Sequence, residues 1–559
     1  MSDRAASTTL AGPPGFDHSS GCLSDTVCKA SYTPMHLNGY IGMRTVGKNK
    51  NYFRDQYCDS IKYTPKETHR QIVHSEVKLL PDDLQGMNDF LRSTGYGHLV
   101  VGKEADIDTI DFETMSDWYR FTGSSVWLPK GQCHLLASRI VYSPNKSPMV
   151  SFLRLQVFNS DWEEMKGRRL RYLDVSGADI RRALNNFSSS HDESSLDPVS
   201  IKFPSFMNID MDEEGRDSFL LGPEDPRVFY RSTGKVHEPV VIFNQDSQGG
   251  RAMHFTFPLQ SDPPNSKKTT IQVRTALMGE NTFEKNWTPF FDTLDPEPTG
   301  NLRGSVYLLY DLNPLRVYKC SMDTGDCYIV QQDGEAANNP RDGPLSAVRG
   351  ATSLKAVPRR VVQRMLRREG IMDPNYPLQM WVGFVKTHLD DCGCGPMFYR
   401  PTMMVLVKQG HSFRIDLLTD SIDFDLDVIS WKDSKSTFCE DGNNVLNPNE
   451  ISFWEIGEEG PLDGTVFDLN SRQLPSYEDY MALTISQADE TVQVVFLRNV
   501  LNFVIGSYQH GNLVLSKRDV QYDVKLRTKK VETCLLRASL RYCEIYSVSH
   551  KRPPPEKVD

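Results

Sequence analysis

The 559-residue chain has no run approaching the ~18 uninterrupted apolar residues of a membrane span. Its start, Met1-Ser2-Asp3-Arg4, lacks the apolar core of a secretory leader. Basic residues are the minority, 63 Lys and Arg against 73 Asp and Glu, a formal net charge of −10. That balance argues against a nucleic-acid partner, which calls for a basic face. The eleven cysteines contain no repeated CxxC pair, so a zinc ribbon is not expected. Helical periodicity is also scarce. What these lacks leave is a soluble, folded, acidic protein.

What is present is strand. From about residue 120 onward come many short runs rich in Val, Ile, Phe and Tyr, among them Cys133–Tyr142, Val150–Phe158, Val240–Asn244, Val306–Leu312, Met380–Thr387, Met403–Val407 and Val492–Leu497. Gly, Pro, Asp and Asn clusters separate them. The spacing excludes a doubly wound α/β fold and leaves a sandwich, a barrel or a propeller; clusters of about four strands suit a five-bladed propeller best. A short helix is expected from Pro81 through Leu84, Met87, Phe90 and Leu91, with Pro in its first turn. Others are expected at Ile180–Phe187 and Val361–Leu366, the latter carrying Arg359, Arg360, Arg364, Arg367 and Arg368, either a solvated face or an anion patch. Ser188–Asp197 reads as a surface loop, and the tail from Pro553 as disordered. Cys320 and Cys327 flank an expected hairpin turn at Thr324-Gly325-Asp326, as a cross-strand disulfide or as two free thiols.

The most distinctive segment is Gly222-Pro-Glu-Asp-Pro-Arg227, two adjacent carboxylates before a Pro and an Arg at a strand entrance. Arg227 can hold one carboxylate by a bidentate contact while the other stays available for proton transfer. On spacing alone a surface turn competes with that reading. The segment resembles the hallmark of the fungal β-1,2-mannosyltransferases, whose wider kin are the β-mannoside phosphorylase propellers. Further blocks of the resemblance follow in order: Trp127 to Arg139, Glu238 to Asn244 with Arg251-Ala-Met253, Glu284 to Phe290, Trp381 through His388 to Gly395 with Tyr399-Arg-Pro401, and Asp479-Tyr480 with Thr484 to Asp489.

The resemblance implies an all-β fold, a five-bladed propeller with an N-terminal extension and short helical insertions. The expected division is a mobile segment over 1–35, an extension over 36–110 packing on the catalytic domain, the propeller over 111–520, and a C-terminal segment and tail over 521–559. It implies inverting transfer of mannose from GDP-mannose to a mannoside or mannan acceptor. The alternatives are a phosphorylase using inorganic phosphate or mannose 1-phosphate, and a non-catalytic glycan-binding propeller. By the same resemblance Asp225 is the base, Glu224 its neighbour and a possible sugar ligand, and Asp489 with Arg139 the donor-mannose subsite. Lys285, His388, Tyr399 and Arg251 are the diphosphate ligands. No cofactor, metal or protein partner is expected. The two DxD patterns, Asp210–Asp212 and Asp423–Asp427, read as surface carboxylates, and His388 with Cys392 and Cys394 lacks a fourth zinc ligand. The family suggests a Golgi-type membrane enzyme, whereas this chain reads as soluble. Three N-x-[ST] sites occur, at Asn145, Asn186 and Asn286; a glycan at Asn286 would block the expected donor site.

Overall fold

The computed structural model describes residues 25–42, 58–212, 220–233, 236–247, 250–263, 266–275, 282–283, 286–296, 298–300, 302–333, 347–368, 371–428, 430–431, 436, 438–440, 442–457, 476–510 and 520–552. The first elements are α1 (Asp25–Lys29), β1 (Tyr32–Pro34), β2 (Gly39–Ile41), β3 (Lys62–Tyr63), β4 (Val73–Ser75), β5 (Lys78–Leu79), α2 (Met87–Thr94) and α3 (His98–Val101). A first antiparallel group holds β6 (Trp118–Leu128), β7 (Cys133–Tyr142) and β8 (Val150–Phe158). After β9 (Arg169–Arg171), α4 (Gly177–Ser190) and β10 (Ser200–Lys202), β11 (Ser205–Phe206) joins it beside β8. The second group is β12 (Glu224–Thr233), β13 (Val236–Ser247), β14 (Gly250–Thr256) and β15 (Thr270–Gln272). Two short strands follow, β16 (Arg274–Thr275) and β17 (Thr282–Phe283). The third group is β18 (Thr288–Phe290), β19 (Ser305–Leu312), β20 (Leu315–Ser321) and β21 (Asp326–Gln332). The fourth comprises β22 (Ala347–Gly350), β23 (Lys355–Ala356), then, after α5 (Arg359–Arg368), β24 (Leu378–Asp390), β25 (Met397–Gln409) and β26 (Ser412–Thr419). The fifth is β27 (Asn444–Ile456), β28 (Asp479–Gln487) and β29 (Gln493–Arg498), before α6 (Val500–His510) and α7 (Val520–Ser549).

The N-terminal strands complete the later sheets. β4 and β5 pair with β29, and β1 pairs with β4. β2 pairs with β26 and carries β3 on its other side. A short parallel contact between β25 and β27 fuses the fourth and fifth groups. The fold is thus mostly β, in several sheets, with the longer strand pairs antiparallel.

Successive side chains of a strand point to opposite faces, and here both faces are buried. Leu135, Leu153, Val228 and Val241 form a core between the first and second groups. Ile242, Phe255, Val306 and Leu308 fill the next gap, and Leu309, Val317, Trp381 and Leu406 the one after. Val405, Leu417, Leu446 and Leu483 join the fourth to the fifth. Leu136, Phe158, Tyr480 and Val494 then join the fifth back to the first. Neighbours such as Leu135 and Leu136, or Leu308 and Leu309, serve different cores, all fully buried. This is why the strands read as continuous apolar runs and not as alternating ones.

Some local expectations change. Residues 81–86 are not helical: Leu84 and Gly86 have positive φ, and α2 begins only at Met87. Asp82 is drawn instead into a buried pair with Arg154, 2.5 Å apart. Ser188, Ser189 and Ser190 finish α4 instead of opening a loop; each hydroxyl donates to the carbonyl four residues back. The 30-residue α7 was not anticipated. Its Val531, Cys534 and Leu535 pack on the core behind β26. Disulfides join Cys58 to Cys534, Cys392 to Cys543, Cys394 to Cys439, and Cys320 to Cys327 across the β20–β21 hairpin. Cys133 is a buried thiol. Cys392 and Cys394 are therefore committed to sulfur–sulfur bonds. No helix among the described residues is long and apolar enough to cross a membrane.

Candidate functional site

The carboxylate pair stands at the start of β12, where the chain bulges. Glu224 faces Asn244 and Arg227 faces Ile242, so β12 has one residue more than its partner over that interval. A bulge of this kind re-aims a side chain. The extra residue turns Asp225 into the left-handed region, φ 50°. Thr122, Ala488 and Asp489 share that conformation, with φ of 48°, 53° and 52°. Left-handed backbone costs a non-glycine residue about 1 kcal/mol or more, and such strain gathers at functional sites.

Arg139 on β7 bridges the pair. Its Nη2 donates to Glu224 Oε2 at 2.6 Å and its Nη1 to Asp225 Oδ1 at 3.4 Å. Arg251 on β14 takes the other Glu224 oxygen, Nη2 to Oε1 2.5 Å, and also lies 3.6 Å from Asp246. Two assignments change here. Arg227 does not make the expected bidentate contact with a carboxylate: past the bulge its guanidinium donates to the carbonyls of Ala351 and Gly350. Arg251 is engaged with the carboxylates, not held open for a phosphate.

Asp489 sits in the turn after β28, beside this cluster. Its carboxyl is pushed up to about 6 by burial; the Lys386 and Arg139 charges oppose the shift and the Asp225 charge adds to it. Its Oδ1 is buried with no hydrogen-bond partner. A buried carboxylate oxygen left open in this way suits an incoming hydroxyl donor. His388 on β24 and Tyr399 on β25 stand opposite each other, rings stacked at 4.6 Å. Burial, with the Arg349 and Lys386 charges, lowers the His388 pKa against the pull of Asp390, whose Oδ1 is 3.0 Å away. Burial, with the charges of Asp489 and Asp225, pushes the Tyr399 hydroxyl up to about 12. Tyr399 thus feels the carboxylate cluster directly, and His388 is stacked on its ring. Lys285 lies outside the described residues.

Three further residues belong here that sequence reasoning passed over. Lys386 lines a void of about 20 Å³ with Thr122, Asp225, Arg227, Asn447 and Asn449. Arg349 stands opposite Lys386 across β22 and β24. Asn447 lies beside Asp489 and helps to hold it charged. A signal for Lys386 was available, because it precedes His388 by two positions and so shares its strand face.

A larger cavity, about 480 Å³, lies elsewhere. It is lined by Trp127, Phe229, Phe290, Phe453 and Trp454 among others, with no carboxylate. β6, β12 and β27 each contribute to both places, their earlier residues to the carboxylate site and their later ones to this cavity. The DxD carboxylates do not converge. Asp423 accepts from Tyr542 at 2.8 Å, Asp425 is 3.3 Å from His74, and Asp427 is 3.6 Å from His550. Asp210 projects outward near Lys267, at 3.8 Å. Among the described residues no three His, Cys, Asp or Glu side chains gather as metal ligands.

The profile of a family described as Beta-mannosyltransferases matches residues 103–259 and 264–542. Beta-mannosyltransferase 4 of Komagataella phaffii is 29% identical over 94% of this chain and 88% of its own length. Beta-mannosyltransferase 7 of Candida albicans is 28% identical over 91% of this chain and 82% of its own. A solved structure from the GH130 family of mannoside phosphorylases, described as containing glycoside hydrolases that target β-1,2 mannosidic linkages in Candida mannan, is 11% identical. It covers 68% of this chain and 84% of that one with a TM-score of 0.34, a likeness too loose to carry an inference.

Proposed function

This chain belongs to the beta-mannosyltransferase family, and from that premise we propose that it moves mannose from GDP-mannose to a mannoside by a single inverting displacement, forming a β-1,2 linkage. An α-linked sugar nucleotide gives a β product only by inversion. Inversion needs one base for the acceptor proton and a set of cations for the departing diphosphate. Asp225 is the proposed base, acting on the acceptor hydroxyl directly or through a hydroxyl of the transferred mannose. Arg139, itself fixed by Glu224, holds it in place, and Asp489 takes donor-sugar hydroxyls on its open oxygen. His388 and Tyr399 serve the leaving group, together with Lys285 if its role follows the resemblance.

The observation that carries the reading is the bridged pair: Arg139 binds Glu224 and Asp225 together, with Asp489 beside them. A merely structural turn would have no reason to concentrate three carboxylates around one strained bulge. The cyclic order of the five cores supports a five-bladed propeller, with the site at one end of its axis and the aromatic cavity at the other. The reaction is proposed to need no metal.

The test is donor choice. With a short β-mannose oligomer as acceptor, GDP-mannose should give extended product and mannose 1-phosphate should not. Product from mannose 1-phosphate with release of inorganic phosphate would favour the phosphorylase reading, which draws on the same cations.

A further inference from the structure

Arg349 and Lys386 are directly opposed in the register of β22 and β24. Opposed residues of an antiparallel pair share a face, with Cβ atoms about 4.5–5.5 Å apart, and like charges there destabilise the pair. His388 lies two residues beyond Lys386, and Tyr399 stands opposite His388. One sheet face therefore carries Arg349, Lys386, His388 and Tyr399 together. The Lys386 ammonium lies over the Tyr399 ring, 5.5 Å from its centroid, and Lys386 also lines the void beside Asp225. Asp390, the acidic residue of the same face, is turned to His388. Asp311 is within electrostatic reach of Arg349 but is itself 3.7 Å from Arg316. Arg349 is half-buried, and its side chain makes no hydrogen bond or ion pair among the described residues.

We propose that Arg349, with Lys386 opposite it, is the anion clamp that receives the phosphate groups of the leaving group. The inference rests on the phosphate-activated donor of the proposed function. In the displacement, the acceptor oxygen bonds to the anomeric carbon as its proton passes to Asp225. The anomeric carbon–phosphate oxygen bond breaks, and its electron pair leaves with the diphosphate. The charge that appears there needs a guanidinium fork, which matches phosphate geometry. Arg251 is already committed to Glu224 through its Nη2. The backbone is built to hold this clamp. Arg227 pins the two carbonyls that follow Arg349, those of Gly350 and Ala351. A side chain at Gly350 would strike the Asn286 carbonyl oxygen, 2.1 Å from its Cβ. The arginine of the carboxylate motif thus acts as a positioning residue for the leaving-group cation.

Titration calorimetry tests this with GDP, inorganic pyrophosphate and inorganic phosphate as probes, on wild type, Arg349→Ala and Arg349→Lys. Circular dichroism melting of each variant checks the fold. The alanine variant should bind GDP and pyrophosphate about ten- to a hundredfold more weakly, the loss of one charge-assisted contact. The lysine variant should recover part of that. Equal affinities in wild type and Arg349→Ala, with matching melts, overturn the clamp, as does failure of wild type to bind any of the three anions. If wild type binds inorganic phosphate but neither diphosphate, and the alanine variant loses the phosphate, the clamp stands and the sugar-diphosphate donor falls.

Discussion

Replacing Asp489 by Asn should make the protein more stable at neutral pH while removing its activity. In the fold its pKa is about 6 against an ordinary 3.8. The native state therefore holds this proton more tightly than the unfolded chain does. Below pH 4 both states are protonated and there is no penalty. The penalty grows as pH rises from about 4 to about 6 and is constant above. A shift of about two units corresponds to roughly 3 kcal/mol. Part of the side chain faces solvent, which screens the charge, and an Asn amide would itself lack a full set of partners; both reduce the gain. A net stabilisation of about 1–2 kcal/mol is expected at pH 7.5, fading to nothing near pH 4. Urea unfolding of wild type and Asp489→Asn at pH 4, 5.5 and 7.5 reads the difference directly. A difference that does not change across this range would refute the argument, because it would mean that Asp489 carries no burial penalty. The Asp225→Asn variant adds a check: without the neighbouring charge, the wild-type pH dependence should weaken and move to lower pH.

The other expectations concern the rest of the site and the chain's cross-links. Asp225→Asn should lower mannosyl transfer by about 10²–10⁴, the usual worth of a general base, while donor affinity in calorimetry stays within a few-fold. Near wild-type turnover would reduce Asp225 to a turn residue. Arg139→Ala leaves two carboxylates without their shared cation in a buried setting and should destabilise the fold by about 3 kcal/mol in urea unfolding; a neutral outcome would mean that Arg251 alone suffices. Transfer should persist in EDTA; loss of turnover that Mn²⁺ restores would show a metal requirement and reopen the DxD carboxylates. Reduction of the Cys58–Cys534 and Cys392–Cys543 bonds should speed hydrogen exchange across α7 well before it does so in β24 or β25, since the helix is held to the sheets at those two points. Uniform exchange throughout would contradict that.

The β character was legible because every group of strands is buried on both faces, and this writes itself as unbroken apolar runs. The α7 helix was missed because its inward residues, Val531, Cys534 and Leu535, are spread among charged neighbours, and its anchors Cys58 and Cys392 are distant in sequence. The Pro81 region carried a helix-like pattern, yet Asp82 found a better partner in the buried Arg154, and no local pattern reports that competition. At the site, the carboxylates, Arg139 and Asp489 could be named in advance, whereas the partner of each arginine could not. That choice depends on the turn at Asp225, past which Arg227 reaches the end of β22 and leaves Glu224 to Arg139 and Arg251. Arg349 gave no signal, because its meaning comes from the residue across the sheet.

The core that joins the fifth group of strands to the first has a consequence for how the chain is made. Four of the five interfaces unite groups adjacent in sequence, so each can close soon after its second half leaves the ribosome. The fifth cannot. Leu136 and Phe158 wait for Tyr480 and Val494, about 320 residues later. At synthesis rates of about 5–20 residues per second, that face of the first group stays uncovered for roughly 15–65 s. Throughout that interval it is an apolar surface open to chaperones and to other nascent copies, and a chain truncated before β28 would never cover it.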